Sequence, residues 1–338
     1  MVGGAAMAQG QAPINMAWIR QLAVSSVVNK QAQLAAANGL PVELVNFNRG
    51  LDGLVALQRG DVVASNCLVG YAQFFIALTQ GIELTMVAGA CSRLNEIVIS
   101  PKALAAADID TKNLAYSGGE PWEVLRGKKV GTARGSYQEV MLRTFLKSHG
   151  MDIDTDINFV DVKTNADQAL ALQQGAVDAI VSVEPSAVQT RLDGYGILLD
   201  FGYDPADPVA LNNLLLVRSD LIAERPDAVT ELVRSHVEAI DTYTADRALW
   251  VKDTAEVTLF NTDTLTHLFN PESLGLDPRY WANVGIDWHL PREKVKELAA
   301  NLYDVGYINA DVVDKIDERI DYSFLEAASG KSVAELGG

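Results

Sequence analysis

The sequence predicts an α/β protein of two lobes, each a mostly parallel sheet flanked by helices, with a helical tail at the C-terminal end. Three observations predict it. From Ile14 onward, short β-branched runs alternate with helix-length amphipathic stretches, the pattern of βαβ units. That pattern restarts at Lys128, and a stretch of the first half recurs in the second. After Asp200 the alternation stops and the chain turns almost wholly helical. A length of 338 residues suits two such units.

Ile14–Ile19 opens the first lobe as a strand. Ser25–Asn38 follows as a helix with Val28, Ala32, Ala35 and Ala36 on one face, and Gly39 stops it. Val42–Phe47 is a strand, Leu51–Arg59 a helix and Asp61–Asn66 a third strand. Gly70–Gln80 is the next helix, before strands Leu84–Ala88 and Glu96–Ser100, where Pro101 ends the run. In the second lobe Lys128–Ala133 is a strand and Ser136–His149 a helix closed by Gly150. Strands Ile157–Val162, Val177–Ser182 and Ile197–Asp200 alternate with helices Ala166–Gln174 and Pro185–Leu192.

The halves also match in letters. Ala56–Ala64 aligns with Ala171–Ala179, and six of the nine positions are identical. A helix ending in Gly before a buried strand is common structural grammar, so part of the match is convergent; two similar lobes account for it best. Phe201–Leu211, rich in Pro, Asp and Gly, reads as a crossing segment, and Asn212–Arg218 as one more strand. In the tail, Pro226 starts a helix with Val229, Leu232, Val233, Val237 and Ile240 as its buried stripe. Pro291 opens a last long helix through Val295, Leu298, Ala299 and Leu302, ended by Gly306. The simplest place for this tail is back on the first lobe. The expected division is lobe one over 13–100 and 204–325, and lobe two over 101–203.

Composition narrows the function. With 27 basic against 44 acidic residues the net charge is −17, which argues against nucleic acid. No apolar run reaches the roughly 20 residues of a membrane span. Two cysteines, Cys67 and Cys91, are too few for a disulfide scaffold, and no Cys/His cluster has zinc spacing, so no metal or cofactor is expected. Residues 1–12 are small or polar, either a flexible terminus or the trailing end of a signal peptide. Ala6-Met7-Ala8 fits the small-x-small pattern before a signal-peptidase cut, which favours export to a periplasm.

In open α/β sheets, ligands bind beyond the carboxyl ends of strands, where helix N-termini converge. That rule selects 20–26, 66–71 and 88–95 in lobe one, and 133–137, 163–165 and 183–186 in lobe two. Gly135-Ser136-Tyr137 is the sharpest of these: Gly135 lets backbone approach, and Ser136 opens a helix with a hydroxyl and amides suited to an anion. Ser136 can equally cap its own helix. Glu184 would accept a hydrogen bond from a ligand amine or orient an Arg, or else favours a helix N-terminus with Pro185 at its first position. Arg20 and Arg93 each follow a strand end and could fork a carboxylate or sulfonate, or face solvent. Asn66 is a candidate polar contact, and Tyr71 and Tyr137 are candidate aromatic walls; for Tyr71, with Phe74 and Phe75, plain core is the commoner fate of aromatics at helical spacing. Cys67 and Cys91 fall after neighbouring strands, as an oxidised pair or as two separate thiols. His149, His236, His267 and His289 pair with no nucleophile and are expected to be structural.

The order of these motifs resembles periplasmic solute-binding proteins of the nitrate/sulfonate/taurine type, a family that includes receptors for thiamine-precursor pyrimidines. Leu57–Val62, Leu125–Gly131, Ala171–Ala179 with Glu184-Pro185, and Tyr303–Ile308 carry the resemblance. It implies the type II periplasmic-binding-protein fold, a monomer, and delivery of a small organic anion to an ABC importer's permease and ATPase without catalysis. It leaves a neutral pyrimidine as the alternative ligand, with Glu184 as acceptor. Relatives of the fold include a desulfinase working through a cysteine and a pyrimidine synthase that sacrifices a histidine, so an enzyme is the second reading. The synthase's clustered cysteines are absent here. A sensory role, in which the bound solute signals to another membrane protein, is the third.

Overall fold

The computed structural model describes residues 12–106, 121–200, 211–275 and 284–338. The expected signal remnant therefore lies outside the described residues except for Ala12, and the crossing segment except for Leu211. The described strands form two sheets. In sheet one, β1 (Ile14–Trp18) pairs in parallel with β2 (Val42–Asn46) and β3 (Ala64–Gly70). Then β10 (Leu211–Arg218) lies between β3 and β4 (Leu84–Ser92), antiparallel to both, and β11 (Gly285–Ile286) edges β4. In sheet two, β6 (Lys129–Thr132) is parallel to β7 (Asn158–Asp161) and β8 (Ala179–Val183). There β5 (Asn95–Ile99) is antiparallel to β8 and β9 (Ile197–Asp200).

The sheets are thus mixed rather than mostly parallel, and the reason lies in how the chain changes lobe. Asn95, the first residue of β5, stands opposite Val183, the last of β8. Asn213, near the start of β10, stands opposite Gly70, the last of β3. A strand entered from the carboxyl ends of its neighbours can only run back against them. The register also moves one boundary: Asn95–Ile99, expected in lobe one, belongs to sheet two. The chain changes sheet between β4 and β5, where Arg93 takes a left-handed φ of 57°.

The first-lobe helices are α1 (Ser25–Ala37), α2 (Gly50–Arg59) and α3 (Tyr71–Thr79). After the short α4 (Pro101–Ala105) come α5 (Tyr137–Ser148), α6 (Asn165–Gln173) and α7 (Ser186–Leu192). The recurring nine-residue stretch is one capping structure made twice. Gly60 and Gly175 both take left-handed φ, 80° and 71°. Behind them, the amides of Asp61 and Val62 return to the Ala56 carbonyl, as those of Ala176 and Val177 return to Ala171. These caps use the residues expected to begin the strands, so β3 starts at Ala64 rather than Asp61 and β8 at Ala179 rather than Val177.

The tail comprises α8 (Ser219–Glu224), α9 (Pro226–Ala245), α10 (Arg247–Thr258), α11 (Thr262–Phe269), α12 (Arg292–Asp304) and α13 (Ser323–Ser329). Every residue of the two expected tail stripes is buried. On α1 the stripe runs through Val28, Gln31, Ala32 and Ala35, leaving Ala36 exposed. Gln31 takes that place by donating to the Leu232 carbonyl at 2.9 Å. Helix α9 packs on α1 and α13 on α9, but α12 touches both α3 in lobe one and α5 in lobe two. Among the described residues no helix is long and apolar enough to cross a membrane.

A buried polar chain ties lobe one together. Asn66 on β3 donates from Nδ2 to Gln31 Oε1 at 2.7 Å and to His236 Nδ1 at 3.0 Å. His236 on α9 donates in turn from Nε2 to the Gly89 carbonyl of β4 at 2.7 Å. Accepting at one ring nitrogen requires a neutral imidazole, and burial pushes the His236 pKa from 6.5 down to about 4. Above pH 6.5 neither state binds this proton; below it the unfolded chain does and the folded protein does not, so stability falls as pH drops. The loss levels off near pH 4 at roughly 3 kcal/mol. Urea unfolding of wild type and His236→Asn at pH 7 and pH 4 checks this: the variant is less stable at pH 7, and its deficit shrinks by about that amount at pH 4.

Candidate functional site

A cavity of about 140 Å³ lies between the lobes at the carboxyl ends of their strands. All six loops selected by the strand-end rule contribute to its lining, from Gln21 and Leu22, Leu68 and Leu94 to 133–137, 163–165 and Val183. The loop after β2, Asn48–Leu51, and the start of β10, Asn212 and Asn213, complete it.

The lobes meet around this cavity by hydrogen bonds. The Ala23 amide donates to the Glu184 carbonyl at 3.0 Å. Arg49 donates from Nη2 to the Arg134 carbonyl at 3.2 Å, and Gln73 from Nε2 to the Gly135 carbonyl at 3.1 Å. Gln73 is held for this, because its Oε1 accepts the Gly70 amide that starts α3. Gly135 has a left-handed φ of 72°, and a Cβ there would stand 2.7 Å from Leu51 Cδ1 of the opposite lobe. Glycine is needed both for the turn and for the approach.

The electrostatics favour an anion. Among the described residues Arg49, Arg134 and Lys163 line the cavity and no Asp or Glu does, in a chain of net charge −17. Helices α2, α5 and α6 also begin there, each turning its positive end inward. The arginines are anchored: Arg134 lies 4.2 Å over the Phe159 ring and 3.6 Å from Glu139. Lys163 has no ion pair among the described residues. Side-chain amides of Gln21, Asn48, Gln138 and Asn165 supply neutral donors and acceptors, and leucines 22, 51, 68 and 94 an apolar wall. Gln138 Nε2 donates to Asn165 Oδ1 at 3.1 Å, joining the α5 and α6 N-termini.

Of the expected site residues, Ser136 and Tyr137 line this cavity. Ser136 also caps α5, its Oγ accepting the Glu139 amide at 3.4 Å and donating to the Ala133 carbonyl at 2.6 Å. The other five lie elsewhere. Arg20 turns outward and donates from Nε to the Val257 carbonyl at 2.8 Å, because the loop after β1 sends Gln21 and Leu22 to the cleft instead. Asn66 is taken up in the polar chain of lobe one. Tyr71 and Arg93 line a separate cavity behind the strand ends. Glu184 is fully buried: its Oε2 accepts the Val188 amide, and only its backbone carbonyl serves the cleft. Burial, then the neighbouring Glu96, push its carboxyl pKa well up. Pro185 precedes α7 as its N-cap, after a cis bond, rather than standing at its first position.

Cys67 and Cys91 are free, buried and close neighbours; burial, then Cys91, hold the Cys67 thiol well above its ordinary pKa. Of the histidines, His149 bonds the Phe145 carbonyl and His267 the Asp263 carbonyl, both within their own helical turns. Among the described residues no cluster of His, Cys, Asp and Glu could hold a metal ion. Asn48–Leu51 went unselected although the strand-end rule applies to β2 as to its neighbours. Gln73 and Asn213 carried no sequence signal, because a buried amide on a helix or strand looks like any polar interruption.

The profile of the NMT1-like family matches residues 7–258, and the chain belongs to that family. Among curated proteins none matches the sequence. Solved structures show the fold, that of periplasmic binding proteins. The alkanesulfonate-binding protein SsuA of Xanthomonas axonopodis pv. citri, bound to MOPS, superposes with a TM-score of 0.72 at 17% identity. The match covers 94% of this chain and 100% of that one. The ligand-binding component of an ABC-type import system from Staphylococcus aureus, with zinc bound, gives 0.73 at 17% identity, covering 95% and 100%. A DSZB mutant in complex with biphenyl-2-sulfinic acid gives 0.61 at 15% identity, covering 95% and 99%.

Replacing Gly135 by Ala should cost about 1 kcal/mol of fold stability for the left-handed φ. It should also weaken binding in the cleft about tenfold, by pushing Leu51 away. Removing Leu51's branches in a Gly135→Ala/Leu51→Ala double variant should return part of the affinity but none of the stability. Titration calorimetry beside urea unfolding separates the two effects.

Proposed function

We propose that this protein is an exported receptor which captures a small organic anion, a sulfonate or carboxylate, in the interlobe cleft and delivers it to an ABC importer. One observation carries the reading: among the described residues, three cations and no carboxylate line a cavity inside a strongly acidic protein. Local donors, not net charge, decide what such a cavity holds. The leucine wall accommodates the apolar part of an alkyl or aryl anion, and lobe contacts such as Gln73 to Gly135 enclose it. Family membership, the periplasmic-binding fold and the small-residue N-terminal stretch support export and import; a periplasmic monomer working with a permease and an ATPase is the corresponding assembly.

The rival readings fit less well. A neutral pyrimidine would need Glu184 as acceptor, and that carboxyl lies outside the cavity lining. An enzyme working through cysteine would need a thiolate near bound substrate. Cys67 is buried away from the cleft with its pKa raised.

Protein unfolded and refolded to strip carried-over solute, then screened by thermal shift, tests the ligand class. Alkanesulfonates, taurine, nitrate or aromatic carboxylates at about 100 times their Kd should add about 2.7 kcal/mol. Aminopyrimidines should add nothing. Arg134→Gln and Lys163→Gln should each weaken an anionic hit about tenfold and steepen no neutral one. Equal losses for anions and neutral rings would refute the anion assignment.

A further inference from the structure

A second cavity of about 260 Å³ lies at the connection between the two sheets. Consecutive residues of that connection face different cavities: Leu94 lines the cleft, and Arg93 lines this one. Ser92 and Leu211, partners across β4 and β10, form its rim beside Lys294 of α12. Both passages of the chain between the lobes therefore border it.

Its chemistry is that of a site for negative charge. The Arg93 guanidinium packs against Gly285 of β11, where a Cβ would stand 2.8 Å from Nη2 and 3.5 Å from Nε. Its Nε is shut off from solvent and has no hydrogen-bond partner among the described residues. An N–H of a charged group left in that state is costly; covered as it is, Nε itself reaches no acceptor in the cavity, and what Arg93 brings to the lining is its charge. Neither Arg93 nor Lys294 forms an ion pair among the described residues. The carboxylate in the lining, Asp287, is already engaged: it accepts from His289 Nδ1 at 2.6 Å and from the His289 amide at 3.0 Å. On its other side His289 Nε2 meets Lys331 Nζ at 3.2 Å, behind the cavity lining. The left-handed φ of Arg93, uncommon for a residue with a side chain, is kept here while its guanidinium is laid into the cavity.

We propose that this cavity is a second anion site, separate from the cleft, which takes a small oxyanion between the Arg93 guanidinium and the Lys294 ammonium. The proposal does not depend on what the cleft binds. Its occupant is defined by chemistry: a tetrahedral or planar group of two or more oxygens, as in sulfate, phosphate or a carboxylate, small enough to enter from the Lys294 side.

Crystals soaked in sodium selenate, with anomalous scattering measured at the selenium edge, test the location. Calorimetric titration of sodium sulfate into wild type, Arg93→Gln, Arg93→Lys, Lys294→Gln and the cleft variant Arg134→Gln/Lys163→Gln tests the residues. The expected result is a selenium peak beside Arg93, with sulfate affinity at least tenfold weaker in Arg93→Gln and Lys294→Gln. Arg93→Lys should regain part of it, and the cleft variant should keep it. A peak confined to the cleft, or sulfate affinity unchanged in Arg93→Gln and Lys294→Gln, overturns the proposal. So does a selenium peak with no sulfate binding in solution, which would mark an adventitious ion only. If Arg93→Gln does not fold, the solvent-exposed Lys294→Gln carries the titration alone. Sulfonate binding lost from the cleft variant reports on the cleft separately, so the two readings can fail independently.

Discussion

The antiparallel insertion of β10 between β3 and β4 is the constraint on which the rest of the molecule depends. Before β10 arrives, β3 and β4 have no common neighbour, and both are almost entirely buried. The strand that joins them comes from well over a hundred residues later, after the whole of sheet two. Lobe one is therefore completed only when lobe two has been traversed, and its sheet closes through contacts of large sequence separation, the kind that form slowly. The same insertion sets Asn212 and Asn213 at the cleft and Leu211 at the cavity behind it. Site and seam are consequently one piece of chain.

Much of this was legible. The alternation of β-branched runs with amphipathic helices located every described strand of both lobes except the two-residue β11, because a buried strand and a one-faced helix leave periods that survive without knowledge of tertiary contacts. The repeated Ala-Leu-Gln stretch was visible as letters, and its meaning, a helix cap closed by a left-handed glycine, is local enough to recur unchanged. The direction of β5 and β10 was not legible, since strand polarity depends on which end of the sheet the chain enters. Side-chain aim was the other gap. Strand-end loops were found, yet within them Arg20 turns away while Gln21 turns in, and Asn66 points into lobe one while Leu68 faces the cleft. A loop's place follows from topology; a side chain's aim follows from the packing of its neighbours.

On the proposed function, the cleft reconciles an acidic protein with an anion by separating scales. At long range the surplus of carboxylates repels negative solutes, and salt screens this beyond roughly 10 Å. At contact distance the solute meets Arg49, Arg134, Lys163 and the starts of three helices. Glu139, 3.6 Å from Arg134, stays out of the lining while touching that field from beneath. It is buried beneath the cleft, where it accepts the Gly135 amide at 2.7 Å and pairs with Arg143 at 3.0 Å. It thereby stiffens the turn that presents Gly135 and Ser136 without entering the lining.

On the proposed function, the footing of α12 on both lobes bears on how long a captured molecule stays. Lys147 of α5 donates to the Asp304 carbonyl at 3.1 Å, and the Tyr307 hydroxyl reaches the Ser136 carbonyl at 3.5 Å. The first lies at the C-terminal end of α5, away from the pocket; the second ends on the backbone carbonyl of Ser136, a lining residue; both must break for the lobes to part. Opening is then resisted by a latch that senses nothing of the solute's identity. Residence time acquires a component common to every cargo, and a partner that pulls α12 off α5 could discharge the cleft without competing for any contact the cargo makes.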